Sequence, residues 1–318
     1  MKQAFAILRL VRWVNLLIIA LSMYLFQFCV IKTYLNAAHV HLTLSWFYFS
    51  LLVLSVVLIA AGGNVVNAYL DFEQDAIYKR DKLIISNYIS LDNAFNLQLG
   101  LSVSGILIGF FLAYHFDNIR LGYIFLTATA LLWLYSQNLK KFFLIGNLVI
   151  AALSAIVFVM PVLFEAHMTD VIQTEFQEMA IKTIQTELKL YVFFAFVVSL
   201  IREIIKDAED READAAYDMD TIPVVLPIWA VNAIVVAMMI GLMIVIGFVQ
   251  KYFWAHELKK HFWFALFFLQ FPILTNMITV IVSKSKEDYH NISVFLKLLM
   301  FFGILSLPVY YMFITVWK

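Results

Sequence analysis

The chain has one cysteine in 318 residues, Cys29, which excludes an internal disulfide and any multi-thiolate metal site. Charge is scarce too: 14% of residues are charged, against 64% hydrophobic, and the mean hydropathy is +0.89. A water-soluble fold would have to bury most of those apolar side chains, and a chain of this length has too little interior. That excludes a soluble globular protein. The 22 basic and 22 acidic residues cancel, so no global field points to nucleic acid. With 5 prolines and 10 glycines there is no Gly/Ser/Pro linker, no low-complexity tract and no separate soluble domain.

What the chain has instead is long apolar runs. A bilayer core takes roughly 20 apolar residues of helix. Nine such stretches can be read, at about 13–31, 43–66, 92–114, 119–137, 141–164, 187–205, 224–248, 262–283 and 293–316. The expectation is an all-α, polytopic protein of the inner (cytoplasmic) membrane. The first run is not a secretory signal, since no small-residue cleavage site follows it. With Met1 on the cytoplasmic side, 14 of the 22 lysines and arginines fall on that side and 8 opposite, which sets the orientation and puts Lys318 outside. Between the fifth and sixth runs, Val171, Ile172, Phe176 and Met179 recur at helical spacing among Asp170, Glu175 and Glu178. Residues 165–186 read as a short interfacial helix, with a plain loop as the alternative.

Two acidic clusters emerge at cytoplasmic ends of runs. Asn67, Asp71 and Asp75 follow the second run at spacings of four; Asp207, Asp210 and Asp214 follow the sixth at three and four. On continuing helices each set forms one stripe. The chain thus reads as two similar helical halves, about 1–140 and 141–318, each with an acidic ledge at the same depth. Carboxylates at a hydrocarbon boundary repel one another and are costly to desolvate, so a cation is expected to join them. His39, His41, His115, His167, His256 and His261 lie on the opposite side, and only His290 shares this one. An all-oxygen ligand set suits Mg²⁺, which is typically held by one or two carboxylates plus substrate phosphates. Two such ledges would clamp a diphosphate. A solvated cytoplasmic rim is the bland alternative. A transporter with an acidic ion site is another, although these acids sit at span ends and no matching pair of runs is broken by Gly or Pro.

These residues resemble the UbiA superfamily of intramembrane prenyltransferases. Asn67-xxx-Asp71-xxx-Asp75 resembles its first Asp-rich motif and Asp210-xxx-Asp214 its second. Arg12-Trp-Val-Asn15, Tyr135-Ser136 with Lys140, Gly146 and Asn147, and Thr221-Ile-Pro223 resemble the neighbouring elements, in order. The stretch from Arg202 to Asp210 is most similar to the branch that alkylates geranylgeranylglyceryl phosphate. The resemblance implies a single domain over 1–318, with nine helices around a central cavity. It also implies a Mg²⁺-dependent transfer of a polyprenyl group from its diphosphate to a lipophilic acceptor in the bilayer. On this reading Asn67, Asp71, Asp75, Asp210 and Asp214 ligate metal with Asp207 beside them. Asp71, Asp75, Asp210 and Asp214 carry the catalysis, and Arg80, Lys82, Lys206 and Arg211 contact diphosphate oxygens. A glycerol-phosphate ether-lipid precursor is the first acceptor expected and an aromatic acceptor, as in quinone synthesis, the second. The chain departs from the pattern in three places: Trp13 replaces a proline, Ala213 a frequent glycine, and Asp220 a lysine. The last puts an anion where the resembled motif carries a phosphate partner, and that anion either faces the site or pairs with Lys206 or Arg211 in water.

Overall fold

The computed structural model describes residues 2–78, 83–165 and 174–315. It is helical throughout; among the described residues the only β pairing is the isolated bridge Ile85–Ile89. In chain order the helices are α1 (Lys2–Leu10), α2 (Trp13–Phe26), α3 (Lys32–Ala37), α4 (Trp46–Leu70), α5 (Phe72–Tyr78), α6 (Leu91–His115), α7 (Gly122–Gln137) and α8 (Ile145–Phe164). They continue with α9 (Glu175–Ala216), α10 (Ile222–Val225), α11 (Ile228–Ala255), α12 (Lys259–Ala265), α13 (Phe271–Val282) and α14 (Lys286–Thr315). Single π turns at Gln27–Ile31 and Leu266–Gln270 join α2 to α3 and α12 to α13.

Among the described residues, eight helical segments are long and apolar enough to cross a bilayer. The ninth apolar run, 187–205, lies inside α9, where residues 190–201 are uncharged between Lys189 and Arg202. The same helix corrects the expectation of a short interfacial helix. Residues 175–186 are the first turns of α9, because nothing from Glu175 to Ala216 is Gly or Pro and no residue there breaks the ladder. The earlier part of that segment, with Asp170, Val171 and Ile172, lies outside the described residues.

The chain divides into two compact units. The first comprises Met1–Tyr24, Tyr34–Lys140 and Ile156–Thr183, the second Leu25–Thr33, Lys141–Ala155 and Ile184–Lys318. In the first, α4, α6 and α7 pack on one another through small residues, as membrane helices do. A Cβ on Gly105 would stand 3.0 Å from the Ser55 carbonyl oxygen, and the Ser55 hydroxyl donates to the Gly105 carbonyl at 2.6 Å. The break between α1 and α2 forms at Arg12 (φ 55°) without the proline of the resembled motif. Asn64 of α4 stabilises it, donating its Nδ2 to the Val11 carbonyl at 2.9 Å, so an oxygen released by the break is not left unpaired.

The second unit packs α9, α11, α13 and α14 around Ile201, Ile204, Val231, Met239 and Ile292. Tyr289, 2% exposed, donates its hydroxyl to Asn232 Oδ1 at 2.9 Å and so ties α14 to α11. Helix α9 closes with Asp218 at φ 52° and the Met219 N–H on the Asp214 carbonyl at 3.0 Å. This is a left-handed C-terminal closure with aspartate in glycine's usual place.

Candidate active site

The first acidic stripe straddles a joint. Helix α4 ends at Leu70, Asp71 takes φ −85° and ψ 0°, and α5 resumes at Phe72. The turn spacing survives, since the Asp71 N–H donates to the Asn67 carbonyl at 3.0 Å and the Asp75 N–H to the Asp71 carbonyl at 2.8 Å. Asn67, Asp71 and Asp75 therefore remain successive positions along one bent ridge. Asn67 Nδ2 donates to Asp71 Oδ2 at 2.8 Å, and Lys140 Nζ pairs with Asp71 Oδ1. Both partners of that ion pair are mostly buried, with side-chain exposures of 14% for Lys140 and 18% for Asp71.

The second stripe lies on α9, which runs unbroken to Ala216, so Asp207, Asp210 and Asp214 share one face. Neutral donors hold two of them. Asn147, from the first turn of α8, donates Nδ2 to Asp207 Oδ2 at 2.6 Å. Thr221 stands at the N-cap of α10 but directs its hydroxyl to Asp214 Oδ2 at 3.1 Å. Burial pushes the Asp207 carboxyl up to about 8, against the Asn147 hydrogen bond and with the Glu203 charge adding to the rise. A carboxyl in that state favours an added cation.

A residue that the spacing analysis passed over belongs to the same stripe. Glu203 precedes Asp207 by four, is 5% exposed, and accepts from Arg202 Nη1 at 2.8 Å and Lys206 Nζ at 3.4 Å. The four-residue step to Asp207 and the i,i+3 step to Lys206 were the signals available. Lys206 thus stands on Glu203, Arg211 is exposed, and Arg80 and Lys82 lie outside the described residues. Asp220 is exposed, with its N–H on the Lys141 carbonyl at 2.8 Å. Among the described residues it pairs with neither Lys206 nor Arg211.

Among the described residues no three His, Cys, Asp or Glu side chains form a ready-made metal cage. The donor set still fits Mg²⁺, because each stripe offers oxygen ligands, and Mg²⁺ commonly takes only one or two carboxylates and completes its shell from phosphate and water.

The fold and these residues define an all-helical membrane protein that carries two stripes of carboxylates, held in place by amide, hydroxyl and lysine donors. The chain belongs to the UbiA prenyltransferase family, whose pattern matches residues 30–305, and it is a prenyltransferase. It is 29% identical over 257 residues to a digeranylgeranylglyceryl phosphate synthase of Methanosphaera stadtmanae, covering 79% of this chain and 83% of that one. It is 34% identical over 203 residues to the protein of that name in Methanosarcina mazei, covering 64% and 63%. For the protein of that name in Methanobrevibacter smithii the match is 33% over 174 residues, and the chain spans only 56% of it. A solved structure of digeranylgeranylglyceryl phosphate synthase in membranes superposes with a TM-score of 0.58 at 21% identity, covering 98% of this chain and 99% of that one. A UbiA homologue from Archaeoglobus fulgidus bound to GPP and Mg²⁺ gives 0.57 at 13%, covering 95% and 99%. At such identities these two superpositions establish the shared fold.

Proposed function

We propose that this prenyltransferase transfers a geranylgeranyl-like chain from its diphosphate to the hydroxyl of a glycerol-phosphate ether-lipid precursor, with Mg²⁺ as cofactor. The observation that carries the reading is the similarity, over most of both chains, to a relative named for that reaction. Asn67, Asp71 and Asp75 would hold one ion and Asp207, Asp210 and Asp214 another. Bound there, Mg²⁺ supplies charge neutralisation of the leaving diphosphate.

The chain's own residues do the rest. Asn67, Asn147 and Thr221 orient their carboxylates before substrate arrives, so little reorganisation is left for the reaction itself. Lys140, paired with Asp71, would also offer its ammonium to a phosphate oxygen, and Arg211, Arg80 and Lys82 would be the further diphosphate contacts. The surrounding apolar helices keep water from the allylic cation as diphosphate departs. Both ledges and the N-terminus are assigned to the cytoplasmic face of the inner membrane by the basic-residue bias, with Lys318 outside.

An aromatic acceptor is the second reading, favoured by the exposed Asp220 where the resembled motif carries lysine. Incubating the purified protein with labelled geranylgeranyl diphosphate, Mg²⁺, and glycerol-phosphate or aromatic acceptors separates the two. Product only from the phosphorylated lipid is the expected result; product only from the ring replaces the first reading with the second. Excess EDTA should abolish transfer and added Mg²⁺ restore it, and turnover that persists in chelator would rule out the metal assignment.

A further inference from the structure

A phosphorylated acceptor poses a problem that the ledges do not solve, because an anionic headgroup is repelled by carboxylates. The second unit holds a different cluster about one turn closer to the apolar part of α9. Glu203, 5% exposed, receives both Arg202 and Lys206, at 2.8 Å and 3.4 Å. The side chains of Arg202 and Lys206 keep 13% and 25% of their exposure. Arg202 and Lys206 thus bring two cationic donors together on one carboxylate at a hydrocarbon boundary, where an anion can meet them.

The guanidinium is also incompletely used. Arg202 turns Nη1 toward Glu203, while its Nε is buried with no acceptor among the described residues. A guanidinium meets phosphate through its planar fork of N–H donors, and Lys206, four residues on, lies on the same side of the helix to add a point charge. The separation fits as well. Arg202, Lys206 and Asp210 follow one another at spacings of four, about 6 Å per step along one ridge of the helix. A glycerol-phosphate headgroup anchored at Arg202 and Lys206 would therefore present its free hydroxyl toward the ledge.

We propose that Arg202 and Lys206, oriented by Glu203, form the binding site for the phosphate of a phosphorylated lipid acceptor. The assignment rests on the glycerol-phosphate reading above. It gives Lys206 to the acceptor and leaves the diphosphate to the other cations.

The test uses the full-length protein in nanodiscs of zwitterionic lipid, which offer no competing anionic headgroup. Dissociation constants are measured for geranylgeranylglyceryl phosphate, for its dephosphorylated counterpart and for geranylgeranyl diphosphate, in wild type, Arg202→Gln, Arg202→Lys and Lys206→Gln. Wild type should prefer the phosphorylated lipid by about tenfold or more. Arg202→Gln should erase that preference by weakening the phosphorylated lipid alone, with Arg202→Lys retaining part of it and the diphosphate constant moving less than about twofold. The proposal is overturned if wild type shows no preference, if both acceptors weaken alike, or if the diphosphate is the ligand lost. Should Arg202→Gln not fold, Lys206→Gln decides in the same way. Turnover in the same preparations keeps the two readings apart. A wild-type protein that binds the phosphorylated lipid through Arg202 but prenylates only an aromatic ring keeps the site and loses the glycerol-phosphate reading. Turnover of the phosphorylated lipid with an unchanged preference in the variants does the reverse.

Discussion

Lys140, in the short turn after α7, places its Nζ on Asp71 Oδ1 while Asn67 holds Oδ2 of the same carboxylate at 2.8 Å. The lysine faces one oxygen of Asp71 and the amide the other, so the carboxylate is held in place at both oxygens. Removing one partner of a mostly buried pair costs about 3–5 kcal/mol because the other charge is left stranded. Lys140→Met should therefore lower thermal stability and reduce turnover by about 10²-fold or more. Asp71→Asn should reduce turnover at least as far. The double variant is expected to be no worse than Asp71→Asn, because the two residues act as one unit. Thermal melts and kcat/KM for the three variants check this; strictly additive losses would show that the ion pair has no shared role.

Asn147 and Thr221 make contacts that orient a carboxylate and carry no charge of their own. Asn147→Leu and Thr221→Val should each raise the Mg²⁺ concentration needed for half-maximal transfer by about 10–100-fold, the range seen when partners of metal ligands are lost. Saturating Mg²⁺ should recover most of the rate. A Mg²⁺ titration that does not move in either variant would mean that these donors serve only packing.

The orientation predicts a labelling pattern. In a Cys29→Ser background, cysteines placed at the exposed positions Asn87 and Arg211 should react with an impermeant thiol reagent only from the cytoplasmic side, and one at Glu175 only from outside. Opposite sidedness for Asn87 and Arg211 would separate the two acidic stripes by a membrane and overturn the orientation.

Asp220 is exposed, which limits what its charge can do. In a water-like dielectric two unit charges ~6 Å apart interact by about 0.7 kcal/mol, a roughly threefold effect before salt screening. Asp220→Lys should thus lower the KM for a phosphorylated acceptor by no more than about tenfold, counting both the anion lost and the cation gained, and leave an aromatic acceptor unaffected. Steady-state kinetics with both acceptors test it, and a worse KM for the phosphorylated lipid would refute the electrostatic account.

Some features were legible because their causes are local in sequence. Apolar runs separated by charge announce membrane helices whatever they pack against, and the spacings 67–71–75 and 207–210–214 announce stripes wherever the chain is helical. Even here, context intervened. The run at 187–205 is legible from its apolar centre, but its place inside a helix of 42 residues is not, because hydropathy falls away at Lys189 and Arg202 while the helix continues. No residue from 175 to 216 breaks a helix, and that continuity carries α9 through the polar turns on either side of the run. Glu203 went unseen because one more acid among Arg202, Lys206 and Asp207 looks like rim charge until its burial is known.

By itself, the sequence determined membrane residence, helical class and the two acidic stripes, since each follows from composition or from spacing along one helix. Tertiary structure alone decided which group attends each acid: Lys140 on Asp71, 69 residues away, Asn147 on Asp207, 60 away, and Thr221 on Asp214 across a left-handed turn. No periodicity encodes those partners, because they depend on how separate helices are brought side by side. They also determine how each carboxylate is oriented and how readily it keeps its charge, so the chemistry available at the two stripes depends on packing as well as on the acids themselves.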